Sequence, residues 1–277
     1  MTQFFALAGL RALATLAGAA AAALAAQAAA LDGAIMAQMF NASLGLFCDG
    51  ICADPAVAGH TSAISSAWAL FLGAAPPAAR AAAWSRIARD GLEGFGDYGA
   101  FVFLSALAAV PEGDGGAAML TALAKCDAES WCAEMRDFNA TMTRESWVDP
   151  TATYSHAWGT SPLVGVSAGI MGVAQTAPAW AAFTVRPRLG GLARASITLP
   201  TLRGPISVEA NASATALRAP CGSEALLCAP LPAGGRAAQA LLDGEDVSGR
   251  VLVAGGHACV ARVGCGAAGA ARVLALR

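Results

Sequence analysis

Apolar residues recur at helical spacing through the first two thirds of the chain and in short alternating runs through the last third. Phe4, Leu7, Leu10, Leu13 and Leu16 come every third residue, and Leu24, Leu31, Ile35 and Met39 continue at intervals of seven and four. A stripe of this kind marks the buried face of a helix, so this region reads as two packed helices with a bend near Gly18. The charge-free run Ala12–Leu31 leaves a signal or membrane anchor open as the alternative. Alanine contributes little to insertion, and the leucine stripe favours a protein core. Further helices are predicted over Thr61–Leu72, with His60-Thr61 at its start, and from Pro77 to Arg89, where a proline suits the first turn. Others follow at Tyr98–Val110, Ala117–Ala124 and Pro162–Met171, the last stopping at Gly172.

Beyond Pro178 the texture changes. Phe183–Val185, Ala195–Leu199, Ile206–Val208, Arg250–Val253 and Ala271–Val273 are short runs with β-branched residues, punctuated by Gly190-Gly191, Gly204-Pro205, Asp243-Gly244 and Gly255-Gly256. Strands at such intervals predict an antiparallel β-sandwich. The chain therefore divides near residue 180, into a helical portion of hairpins over 1–180 and a β-sandwich over 181–277.

With 56% AVILMFWYC residues and 13% charged residues, the chain has apolar surface for a large core, which excludes intrinsic disorder. A net charge of −2 without a basic run gives no electrostatic footprint for nucleic acid. High alanine content inflates the hydropathy, which is no argument for a membrane protein. Eight cysteines fall in close pairs: Cys48/Cys52, Cys126/Cys132, Cys221/Cys228 and Cys259/Cys265. Close pairing suits local disulfides, although spacing cannot fix the connectivity. The spacings are too wide for zinc knuckles, and His60, His156 and His257 do not accompany them. Sequons begin at Asn41, Asn139 and Asn211; each is a common chance match. Together with the even cysteine count they point to the secretory pathway. Eight buried free thiols in a reducing compartment are the alternative.

One stretch carries chemistry. TMTRESW over 141–147 and YSHAWGTSPL over 154–163 place a carboxylate, an imidazole, two indoles and several hydroxyls together in an alanine-rich chain. Indole faces stack on the C–H faces of sugars, while carboxylate and imidazole bond sugar hydroxyls. A carboxylate can also take a proton from water in glycoside hydrolysis. The competing reading makes Glu145 a cap or ion-pair partner and Trp147 and Trp158 core anchors. No phosphate loop, dinucleotide fingerprint or HExxH motif competes.

These two stretches, the helix ending Ala168-Gly-Ile-Met-Gly172, and the later VRPRLGGL (185–192) and LRGPISV (202–208) resemble the C-terminal part of family 78 α-L-rhamnosidases. The likeness runs through essentially the whole chain, with Asp97–Phe101 and Ser130-Trp131 falling where that family has its preceding helical hairpin. The resemblance implies part of an (α/α)6 toroid followed by a C-terminal antiparallel β-sandwich, no cofactor, and a carbohydrate partner, a rhamnosyl glycoside. It implies inverting hydrolysis of terminal α-L-rhamnosyl residues, with carboxyl groups roughly 6.5–9.5 Å apart. Glu145 is then the general base, His156 a sugar-hydroxyl contact, and Trp147 and Trp158 further substrate-contact candidates. The family's general acid lies upstream in an acidic segment that is absent here, so the isolated chain is expected to be inactive. A catalytically inactive carbohydrate-binding remnant is the alternative. Among the other loop carboxylates, Asp49, Asp54, Glu93, Asp97 and Asp149, Asp97 is the best placed, but beside glycines it reads first as a turn former.

Overall fold

The computed structural model describes residues 2–109, 114–232, 235 and 239–277. The chain forms two compact units, Met1–Gly113 with Ala122–Ser161, and Asp114–Thr121 with Pro162–Arg277.

The first unit is helical. Helix α1 (Thr2–Leu16) and helix α2 (Ala21–Met39) pack on each other across a bend at Gly18, which adopts φ +51°. The leucine stripe is buried only at its ends. Phe4, Leu7, Ile35 and Met39 are shielded, whereas Leu13 and Leu16, beside the bend, are 53% and 82% exposed. The segment Gly18–Met39 is long and apolar enough to cross a membrane by length and composition, and 11% of its most apolar window is buried. A small hairpin of β1 (Phe40–Asn41) and β2 (Leu46–Phe47) follows. Helix α3 (Ala63–Phe71) starts at Ser62, and its cap is not the expected His60-Thr61 pair. Asp49 accepts from the Ser62 N–H, the Ser62 hydroxyl and the Ser65 hydroxyl at once, so a distant carboxylate closes this helix end.

Helix α4 (Pro77–Asp90) begins on a proline, as its sequence predicts. Helix α5 (Gly96–Ala109) is buried along most of its length; Val110, the expected last residue, lies outside the described residues. Helix α6 is Gly115–Ala124. Helix α7 (Trp131–Phe138) lacks a long apolar period and was not legible as a helix; Ser130 caps it by accepting the Ala133 N–H at 3.1 Å. Residues 139–161 form a long connection that folds back on itself.

In the second unit, helix α8 (Pro162–Val164) passes directly into a π-helical turn, Gly165–Ile170, in place of the regular helix predicted there. The Met171 N–H reaches back to the Val166 carbonyl, and the Ser167 hydroxyl bonds the Leu163 carbonyl. Gly172 turns the chain with φ +62°; a Cβ there would stand 1.9 Å from the Arg186 carbonyl oxygen, so only glycine permits this approach.

The strands are β3 (Val173–Gln175), β4 (Ala182–Val185), β5 (Arg194–Leu199), β6 (Ile206–Asn211), β7 (Ala214–Arg218), β8 (Glu224–Pro230), β9 (Ala240–Leu242), β10 (Glu245–Asp246), β11 (Leu252–Ala254), β12 (His257–Val263) and β13 (Arg272–Leu276). One sheet has the order β10-β9-β13-β7-β6-β5 and is antiparallel; the other has the order β11-β12-β8-β4-β3. The second departs from the antiparallel expectation, because β4 and β8 run parallel. Along β6, Ile206, Val208 and Ala210 face inward while Glu209 and Asn211 face out, the period-two pattern of a sheet with one buried face.

All eight cysteines are paired. Cys48–Cys52 and Cys126–Cys132 join sequence neighbours, whereas the last four cross as Cys221–Cys265 and Cys228–Cys259. Register decides this outcome. Strands β8 and β12 place Cys228 directly opposite Cys259, which neighbouring positions in sequence could not reveal.

Candidate active site

The connection 139–161 supplies the chemistry. Its two arms pair through one isolated bridge, Arg144 to Tyr154, flanked by the Glu145 N–H on the Thr153 carbonyl (3.0 Å) and the His156 N–H on the Thr143 carbonyl (3.2 Å). Eleven positions apart in sequence, Glu145 and His156 therefore meet. Glu145 Oε2 lies 3.9 Å from His156 Nε2, and Thr153 Oγ1 stands between them, 3.2 Å from the carboxylate and 2.5 Å from the imidazole. The Glu145 side chain is 52% exposed and that of His156 is 18% exposed. The carboxylate thus keeps access to solvent while the imidazole is held in place.

Aromatic rings wall one side. The His156 ring sits 4.3 Å from the Trp158 ring, and Tyr98, half exposed on α5, meets Trp158 edge-on at 5.6 Å. Trp147 is placed differently. It is 2% exposed and packs edge-on against Trp131 of α7 at 5.6 Å, so its ring belongs to the interior beneath the site. Trp131 in turn donates its Nε1–H to the Gly159 carbonyl at 2.9 Å, pinning the loop to α7. Gly159 allows a tight approach: a Cβ there would stand 2.7 Å from the Thr143 Cβ and 3.2 Å from an Asp97 oxygen.

Beneath the loop lies a buried ionisable group that sequence reasoning placed elsewhere. Asp97 is no turn former on a loop; it occupies the first turn of α5 and is 2% exposed. Its carboxyl faces Glu134 of α7 and the Trp147 indole, and burial, reinforced by Glu134, pushes its pKa up to about 7. Burial also raises Glu134, which the Arg144 guanidinium and backbone N–H partly offset. Arg144 is fully buried, with its guanidinium 3.6 Å from the Phe138 ring centroid and one nitrogen donating to the Asp149 carbonyl at 2.5 Å. Only a weak signal for this group is legible along the chain, since Glu134 sits on the unforeseen helix α7.

Glu134 also lines a cleft of about 530 Å³, with Trp131, Met135, Met142, Thr143 and Ser155 among its walls. Among the described residues no group of three or more His, Cys, Asp or Glu side chains is arranged to hold a metal ion.

The fold is similar to that of solved α-L-rhamnosidases. Solved structures carry the likeness. The α-L-rhamnosidase of Streptomyces avermitilis, complexed with L-rhamnose, matches 99% of this chain at 18% identity and a TM-score of 0.69. The α-L-rhamnosidase of Dictyoglumus thermophilum matches 99% at 14% identity and a TM-score of 0.76, and a GH78 family rhamnosidase of Bacillus matches 74% at 20% identity and 0.55. The chain spans 26%, 31% and 23% of the length of those proteins, respectively. No known family model matches the sequence, and no curated protein does.

Proposed function

We propose that this chain is the C-terminal portion of an α-L-rhamnosidase, with Glu145 as the general base of inverting hydrolysis and His156 as a contact to a rhamnosyl hydroxyl. The single observation that carries this reading is the convergence of Glu145, Thr153 and His156 against Trp158. A half-exposed carboxylate can hold a water and accept its proton, while the ordered imidazole and the Trp158 face bind sugar. Trp147 then acts from beneath, by supporting the loop. In the same reading residues 1–180 belong to a partial (α/α)6 toroid and 181–277 to a C-terminal β-sandwich. The general acid stands on a segment outside this chain. Asp97 and Glu134, enclosed and both with pKa raised by burial, support the loop and leave that role open.

Titration with L-rhamnose tests the pocket, with D-rhamnose as the control and the emission of Trp158 and its neighbours as the readout. Saturable quenching by the L-sugar, lost in His156→Ala, is expected. In the chain joined to a segment bearing the acid, Glu145→Gln should lower hydrolysis of an aryl α-L-rhamnoside by about 10²–10⁴. Near-normal turnover in that variant removes Glu145 from the role. The second reading, an inactive sugar-binding remnant, predicts binding without turnover even in the joined chain.

A further inference from the structure

Three Asn-X-Ser/Thr sequons are present, and the folded chain treats them differently. Asn211 is exposed at the turn between β6 and β7, and its Oδ1 accepts the Ser213 N–H at 3.0 Å and the Ala214 N–H at 2.9 Å. That pins the carbonyl side of the amide to the turn and leaves Nδ2 without a hydrogen-bond partner among the described residues. Ser213 is itself exposed. Asn139 is exposed too, in the left-handed conformation (φ 50°, ψ 34°) that ends α7, with Thr141 exposed two residues on. Asn41 differs, being half-buried in β1, with Oδ1 accepting from the Ser43 hydroxyl and two backbone N–H groups. An independent observation concerns the compartment: every cysteine is in a disulfide, two of them tying together distant parts of the sheet-forming unit. A full set of this kind persists where conditions are oxidising.

We propose that Asn139 and Asn211 are attachment sites for N-linked oligosaccharide, acquired in the secretory pathway. The donor is an oligosaccharide on a lipid diphosphate. The Asn Nδ2 attacks the reducing-end C1, a C–N bond forms, the C–O bond to diphosphate breaks, and the diphosphate leaves with the electron pair while one amide proton passes to a base. Both side chains lie where a bulky, solubilising chain displaces no packed neighbour. At Asn139 the glycan would stand at the rim of the 530 Å³ cleft, which Ala140 and Thr141 line. The proposal does not extend to Asn41.

Peptide mapping tests it on the protein isolated from the cells that make it. Digestion with the amidase that releases N-glycans should convert Asn139 and Asn211 to Asp and raise gel mobility. Expressed in the same cells, Ser213→Ala and Thr141→Ala should each remove one mobility step. Ser213→Ala keeps both backbone donors of the Asn211 turn, so its loss of the glycan cannot be attributed to a disturbed fold. Recovery of both peptides with unmodified Asn overturns the proposal, as does a protein whose cysteines alkylate without prior reduction. Neither readout depends on sugar binding or hydrolysis.

Discussion

The buried carboxyl at Asp97 makes the stability of this protein depend on pH in an uncommon direction. Its pKa rises from the ordinary 3.8 to about 7, chiefly through burial. Placement in the first turn of α5 opposes this, but a helix dipole contributes only about 0.3–1 kcal/mol to a carboxylate. A displacement of this size corresponds to on the order of 4 kcal/mol. Because the folded-state pKa is raised, that contribution is fully present below about pH 4 and is lost as the pH rises through about 7. The facing groups are Glu134, itself raised by burial, the Arg144 guanidinium beyond it, and His156. Asp97→Asn keeps the shape of the side chain and removes the titration. Urea unfolding, followed by tryptophan emission across the range from about pH 4 to about pH 8, compares the two proteins. The stability difference should move toward the variant by up to roughly 4 kcal/mol over this range. Carboxylates held low by their partners, Asp49 and Asp90, lose stability at acid pH in both proteins and cancel in the difference. A difference that stays flat with pH would refute the argument that Asp97 is proton-bound in the folded chain.

Arg144→Met strips the buried guanidinium from beside Glu134 and from the Phe138 face; a loss of about 3–5 kcal/mol in urea unfolding is expected, and a loss below about 1 kcal/mol would mean the guanidinium is not holding the loop. Replacing Cys228 and Cys259 together by serine opens a loop of 31 residues and should cost about 3–4 kcal/mol, read from the same denaturation curves under non-reducing conditions. His156→Ala should weaken L-rhamnose binding, because the imidazole stands beside Glu145, Thr153 and Trp158 in the pocket; an unchanged affinity would assign the histidine a structural role.

Much of the helical portion was legible because its signals are local. Pro77 starts a helix for the same reason in any protein, and the apolar runs in α3 and α5 announce burial without reference to partners. The strands with β-branched residues, β4 to β6, were legible too. Strand β8, EALLCAP, was not, since alanine and leucine favour helix and only its place between β12 and β4 makes it a strand. Helix α7 was missed because eight residues give too few periods to read.

Residue order alone put Glu145, His156 and Trp158 in one short stretch and offered eight cysteines as partners for one another. It could not say which sulfurs meet, because strand register joins residues far apart in the chain; Cys228 finds Cys259 only once β8 lies beside β12. Nor could it say that Asp97 is enclosed. A carboxyl beside glycines looks solvated until α7 brings Glu134 against it, and burial is a property of everything packed around a group, which no window of neighbouring residues contains.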